Sequence, residues 1–132
     1  MITHAFRLDP GDDLNKAIEG YVAERSLSGY VLVCVGSLSK AVLRLAGAKE
    51  YLDLLEDFEI VSMVGTLSAD GCHIHTSIAD SRGNMHGGHL VDGCIVRTTA
   101  EIVLAEDDRY HFSREFDEAT GFDELKVKKR KS

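Results

Sequence analysis

The stretch Cys94-Ile-Val-Arg-Thr-Thr-Ala-Glu-Ile-Val-Leu104 decides the fold class. Cys94, Val96, Thr98, Ala100, Ile102 and Leu104 fall on one face, and Ile95, Arg97, Thr99, Glu101 and Val103 on the other. A period of two is that of a strand, not of a helix. The segments around it carry the same punctuation. Phe58 to Leu67 is strand-like, Ala69-Asp-Gly71 supplies turn chemistry, and His73 to Ala79 returns as a hairpin arm. Asp80-Ser-Arg-Gly-Asn84 is a second turn. Arg109 to Phe116 is expected to close the sheet.

Nearer the start, Tyr30-Val-Leu-Val-Cys-Val35 is a continuous β-branched run, the pattern of a strand covered on both faces. Gly36-Ser37 predicts an interruption, with Lys40 to Ala46 as an antiparallel return. Lys49 to Asp57 fits a short helix or an irregular strand. Residues 3–8 fit a first strand. Asp9-Pro-Gly-Asp-Asp13 reads as a turn into a helix start, since aspartates accept from the free N–H groups there. Leu14, Ala17, Ile18, Tyr21 and Val22 then form a helical stripe that Ser28-Gly29 closes. One main helix packed with an antiparallel β-sheet of about six or seven strands is an α+β pattern.

The 132 residues predict one domain, here residues 1–125, followed by a basic C-terminal tail, 126–132. The chain carries 22 acidic and 15 basic residues, a net of −7. Five of the basic residues (Lys126, Lys128, Lys129, Arg130 and Lys131) lie in the tail, so the body stands at −12. A body that acidic repels a phosphate backbone, and any DNA contact falls to those five residues. The simpler reading of the tail is a frayed, solubilising terminus. Cys34, Cys72 and Cys94 form no even framework and no C-x-x-C pair, so a secreted disulfide scaffold is not expected. They read as small hydrophobes. The longest apolar run, Tyr30 to Val35, is too short to cross a bilayer, and the first seven residues hold no apolar signal core. The expectation is a cytoplasmic chain with no membrane contact.

Gly71-Cys-His-Ile-His-Thr-Ser77 holds the chemistry. His73 and His75, two apart on a strand, point the same way, while Ile74 points opposite. Two adjacent imidazoles suit zinc or a similar divalent ion. Met85-His-Gly-Gly-His89 offers His86 and His89 as a third ligand, and three protein ligands leave one position open. The plainer alternative is a polar strand face. Gly87-Gly88 suits a tight turn or a packing site. A carboxylate or backbone carbonyl is expected on the second ring nitrogen of at least one ligand. No Walker loop, G-x-G-x-x-G or G-x-S-x-G is present.

Read in order, Phe58-Glu-Ile-Val-Ser-Met-Val-Gly-Thr66, Gly71-x-His-x-His75, Asp80-x-x-Gly83, Gly87-Gly-His-Leu90, Gly93 and Thr99-x-Glu101 resemble the PPC (plants and prokaryotes conserved) domain. Arg7, Gly11-Asp-Asp-Leu14 and Thr120-Gly-Phe122 extend the resemblance over nearly the whole chain. It implies a small α+β domain that assembles as a homotrimer. Two strand runs apolar on both faces, Tyr30 to Val35 and Ile60 to Leu67, agree, because a neighbouring subunit would cover what one small sheet cannot. In plants the domain sits behind an AT-hook. No Arg-Gly-Arg core exists here, and the chain resembles the stand-alone prokaryotic type, described as predicted DNA-binding proteins. The resemblance implies His73, His75 and His89 as metal ligands; His86 matches no fixed position of the pattern. Two functions follow as expectations. One is a DNA-binding or regulatory module with a divalent metal, zinc first. The other is a metal-dependent enzyme or small-molecule sensor, for which Asp80 and Glu101 are available carboxylates with plainer roles in a turn and on a strand face.

Overall fold

The computed structural model describes residues 1–131. In chain order its elements are β1 (Ile2–Leu8), α1 (Leu14–Arg25), β2 (Gly29–Arg44), β3 (Tyr51–Leu54), β4 (Phe58–Leu67), β5 (His73–Asp80), β6 (Met85–Leu90), β7 (Ile95–Glu106), β8 (Tyr110–Asp117) and β9 (Phe122–Lys129). Seven strands form an antiparallel sheet in the order β1-β7-β2-β4-β5-β6, with β3 beside β2. Leu43 and Arg44 at the end of β2 also pair with Leu90 and His89 of β6, so the sheet curls back on itself. The architecture is α+β, as the sequence predicts.

The α1 stripe packs as its spacing requires. Leu14, Ile18 and Val22 are fully buried, and Ala17 and Tyr21 lie against the same core. Asp13 caps the helix by accepting from the backbone N–H of Lys16 at 3.1 Å, and it also accepts from the N–H of Gly93 at 2.9 Å. One carboxylate thus ties the helix start to the turn between β6 and β7. The helix ends earlier than Ser28-Gly29, with Ser26 in the left-handed region at φ 49. The core beneath it is continuous through Leu38, Leu43, Ile74, Ile78, Ile102 and Leu104. Fully burying such a side chain is worth about 1.5–3 kcal/mol.

Three expectations are corrected. Gly36-Ser37 does not break the chain, because β2 runs unbroken from Gly29 to Arg44 through bulges. Gly36 is required for close approach: a Cβ there would sit 2.2 Å from the carbonyl oxygen of Thr99. Arg109 to Phe116 does not close the sheet. Both edges of β7 are already taken by β1 and β2, so β8 pairs instead with β9 in a separate two-stranded hairpin. The basic tail does not begin as a frayed end. Lys126 to Lys129 are strand residues of β9, opposite Ser113 to Tyr110 of β8, and the N–H of Arg130 donates to the carbonyl of Arg109 at 2.8 Å. The backbone pairing of an alternating partner strand overrides composition here. Ser132, the last residue of the expected tail, lies outside the described residues.

The ambiguous segment resolves as β3, and Gly87-Gly88 as part of β6. A Cβ on Gly88 would meet the carbonyl oxygen of Arg44 at 2.8 Å, which makes it a packing glycine.

Candidate metal centre

Strand alternation puts Ile74, Thr76 and Ile78 of β5 into the core and turns His73 and His75 outward. The register of β6 against β5 sets His89 directly opposite His75. Close packing at Gly88 against β2 carries His89 onto that same outer face. One ligand atom from each of His73, His75 and His89 can be chosen so that all lie within 4.8 Å of one another. The Nε2 atoms of His73 and His75 are 3.1 Å apart. Tetrahedral zinc at about 2.0–2.1 Å from each nitrogen sets ligand nitrogens about 3.3 Å apart, so this pair already stands at coordinating distance.

The donor set fits the ion. Partial desolvation of the outward-facing His73 ring, reinforced by the neighbouring His75, lowers its pKa below the usual histidine range. Burial and the Arg44 guanidinium bring His89 down to about 4. These two imidazoles are therefore neutral at neutral pH, the form that ligates. When bound, a divalent ion here would supply a Lewis-acidic centre with a position left open beyond the three nitrogens.

The other histidines are elsewhere. His4 bonds the Tyr21 hydroxyl at 2.8 Å and the Glu106 carboxylate at 3.1 Å. His86 is excluded from the cluster by alternation; it contacts the Asp80 carboxylate at 3.2 Å and the edge of the Phe58 ring. Asp80 meanwhile accepts from the backbone N–H groups of Arg82 and Asn84, which is the turn role expected of it. Glu101 is an exposed strand-face residue opposite Arg7. The cysteines stay protonated. Burial pushes Cys34 and Cys72 up to about 12 and Cys94 to about 11, so none offers a thiolate.

One expectation fails. Among the described residues, no carboxylate or carbonyl bonds a ring nitrogen of the three ligands. The polar neighbour is a cation instead, with Arg44 Nη2 3.5 Å from His89 Nδ1. Sequence reasoning also missed that the cluster opens into a cleft of about 730 Å³, lined in part by Arg44, Leu45, Cys72, Arg114, Phe122 and Glu124. Arg44 stands directly opposite His89 only because β2 pairs with β6, and Arg114 arrives only because β8 folds back over the sheet.

The Plants and Prokaryotes Conserved (PCC) domain matches residues 1–108. The chain belongs to that family. The matched PCC region contains α1, the main sheet and all three histidines; β8 and β9 lie beyond it. The similarity to individual proteins runs further. The chain is 47% identical over 127 residues to the bifunctional protein GlmU of Synechococcus sp. (strain JA-3-3Ab), covering 96% of this chain and 20% of that protein. It thus spans about a fifth of the length of the curated relatives it matches. A hypothetical protein of Salmonella enterica shares the whole architecture, with a TM-score of 0.92, 37% identity, and coverage of 98% of this chain and 94% of that one. A metal-containing protein from Archaeoglobus fulgidus matches at a TM-score of 0.76 and 31% identity, covering 93% and 91% of the two chains.

Proposed function

We propose that this PCC chain is a homotrimeric regulatory module that carries one divalent ion, zinc first, on His73, His75 and His89 of each subunit. The observation that carries the reading is the convergence of three imidazoles from two paired strands. The similarity to an archaeal protein described as metal-containing supports it. The test is zinc loading followed by elemental analysis of the wild type and of His75→Ala. About one zinc per chain in the wild type and none in the variant is the expected result.

The trimer rests on the outer face of the sheet. Leu32, Val33 and Val35 of β2 and Val61 and Val64 of β4 are exposed, Val64 to 64%. Such a run of aliphatic side chains is a surface for a second copy of the chain. Val64 lies opposite His75 in the strand register, so assembly would bring the neighbouring subunit to the rim of the metal site. Light scattering at micromolar concentration should return a trimer mass; a monomer mass would contradict it.

DNA is contacted weakly, through the basic end of the hairpin. Lys126 is 3.7 Å from Glu115, which leaves Lys128, Lys129, Arg130 and Lys131 as the available cations. Neutralising about four phosphates makes affinity fall steeply with salt. Replacing Lys128, Lys129, Arg130 and Lys131 by glutamine, which keeps the β8–β9 backbone pairing, should abolish binding in a salt-titrated assay. Tight binding by that variant at physiological salt would place the interface on the body.

The cleft favours a second reading, a small-molecule sensor. Its volume of about 730 Å³ at the ring nitrogens falls in the range of roughly 300–1,000 Å³ typical of ligand sites. A competitor compound that changes the DNA affinity only in the zinc-loaded protein would favour sensing over a purely structural ion.

A further inference from the structure

We propose that the cleft receives a small organic oxyanion, a carboxylate or a phosphate ester, which takes the open position of the metal and pairs with Arg44 and Arg114. The proposal rests on the metal reading above and adds what the site would bind.

The arginines carry it. Arg7, Arg25, Arg97 and Arg109 each pair with a carboxylate. Arg44 and Arg114 have no such partner among the described residues, and unlike Arg82 and Arg130, which also lack one, they both line the cleft. Arg114 is held in place without being neutralised. Its Nη2 donates to the Thr66 hydroxyl at 2.9 Å, and its backbone N–H donates to the Asp70 carboxylate at 3.2 Å. Arg44 Nη2 stands 3.5 Å from His89 Nδ1. A guanidinium cannot shed its proton and offers only donors. Two of them would repel a dication held on the three imidazoles. An oxyanion removes that conflict by ligating the ion with one oxygen and accepting from the guanidinium forks with the others.

The size and walls of the cleft select an organic anion. About 730 Å³ far exceeds what a bare inorganic ion fills, and Leu45 and Phe122 supply apolar wall beside the polar floor. The rim is also placed under backbone constraint: Ala48, in the loop from β2 to β3 that lines the cleft, is held at φ 57. Glu124 is the competing group. It lines the same cleft, as do Asp70, whose carboxylate accepts from the Arg114 backbone N–H, and Asp123; of the three, Glu124 is the one whose charge acts on His73, so it is the carboxylate tested as a rival for the open position.

The test uses the full chain loaded with cobalt(II), whose visible absorption reports the coordination sphere, titrated with succinate, glycerol 3-phosphate and, as an uncharged control, glycerol. Zinc calorimetry of the same proteins and their thermal unfolding accompany it. Succinate or glycerol 3-phosphate should change the cobalt spectrum and glycerol should not; whichever anion acts assigns carboxylate or phosphate. Arg44→Gln and Arg114→Gln should each weaken anion binding about 10-fold or more, the scale of losing a charge-assisted hydrogen bond. The same variants should hold zinc as well as the wild type or better, since a repelling charge is gone. Arg44→Lys should recover part of the anion affinity. A spectrum indifferent to both anions in a protein that binds cobalt would overturn the anion site and leave the metal reading standing. So would loss of metal in Glu124→Gln with no effect of either arginine variant. Failure of the wild type to bind cobalt or zinc at all would remove both.

Discussion

The histidine-bearing strands β5 and β6 and the β8–β9 hairpin stand on either side of one cleft, and they are built on opposite principles. In β5, Ile74, Thr76 and Ile78 are buried, and they lock the register that aims His73 and His75 outward. The hairpin has no core of its own. Phe116, Phe122 and Val127 are exposed, and the hairpin is tied down by a few polar contacts, including Phe112 N–H to Ser28 Oγ at 2.9 Å and Arg114 to Thr66. An isolated two-stranded hairpin is marginal in water, so these anchors decide where Arg114 and Glu124 sit. The sheet fixes the three histidines, and the other wall of the cleft is hung on it from outside the matched family region.

The largest expected effect breaks the rigid side. Gly36→Val should leave little folded protein, because its Cβ would fall 2.2 Å from the Thr99 carbonyl oxygen, a backbone atom that cannot move aside. Circular dichroism and soluble yield check it. Next, Ile78→Ala, at a fully buried position, should cost about 2–5 kcal/mol in denaturant unfolding. Phe116→Ala, 65% exposed on the hairpin, should cost under about 1 kcal/mol in the same assay. Equal costs would mean that the hairpin is packed far more tightly than its exposure indicates.

Smaller effects sharpen the contrast. Thr66→Val removes the hydroxyl that receives Arg114 and should weaken anion binding while leaving zinc stoichiometry unchanged, since Thr66 is no ligand. The smallest effect is a pH term at the hinge between the sheet and the hairpin. The hydrogen bonds from Arg109 to Asp107, at 2.8 and 2.9 Å, hold that carboxyl down to about 2. A depressed acid stabilises the fold above its unfolded pKa, near 3.9, and loses that contribution as pH falls toward about 2. Acid titration of Asp107→Asn should therefore lack the part of the wild-type loss of stability that falls between those values.

What was legible in the sequence follows the same division. Period-two alternation in Cys94 to Leu104 and in His73 to Ala79 is local, and those strands fall where they are expected. The glycines of β2 and β6 carry a double meaning that one sequence does not separate. Gly36 looks like a turn and is a contact point against Thr99. The basic residues of β9 mask its strand pattern, so its pairing with β8 was not anticipated. Arg44 and Arg114 reach the cleft through the β2–β6 closure and the hairpin anchors, contacts distant in sequence that no local pattern announces. His73 and His75 are legible because they lie two residues apart on one strand, whereas His89 is separated from His86 only by the family resemblance.

The central claim is that His73, His75 and His89 hold one divalent ion. Diffraction data collected above and below the zinc absorption edge, from crystals of the zinc-loaded chain, test it most directly. The account predicts one anomalous peak per chain at about 2.0–2.1 Å from a ring nitrogen of each of the three histidines. A peak at His4, His86 or His111, or no peak at the cluster in a protein that elemental analysis shows to contain zinc, would contradict it.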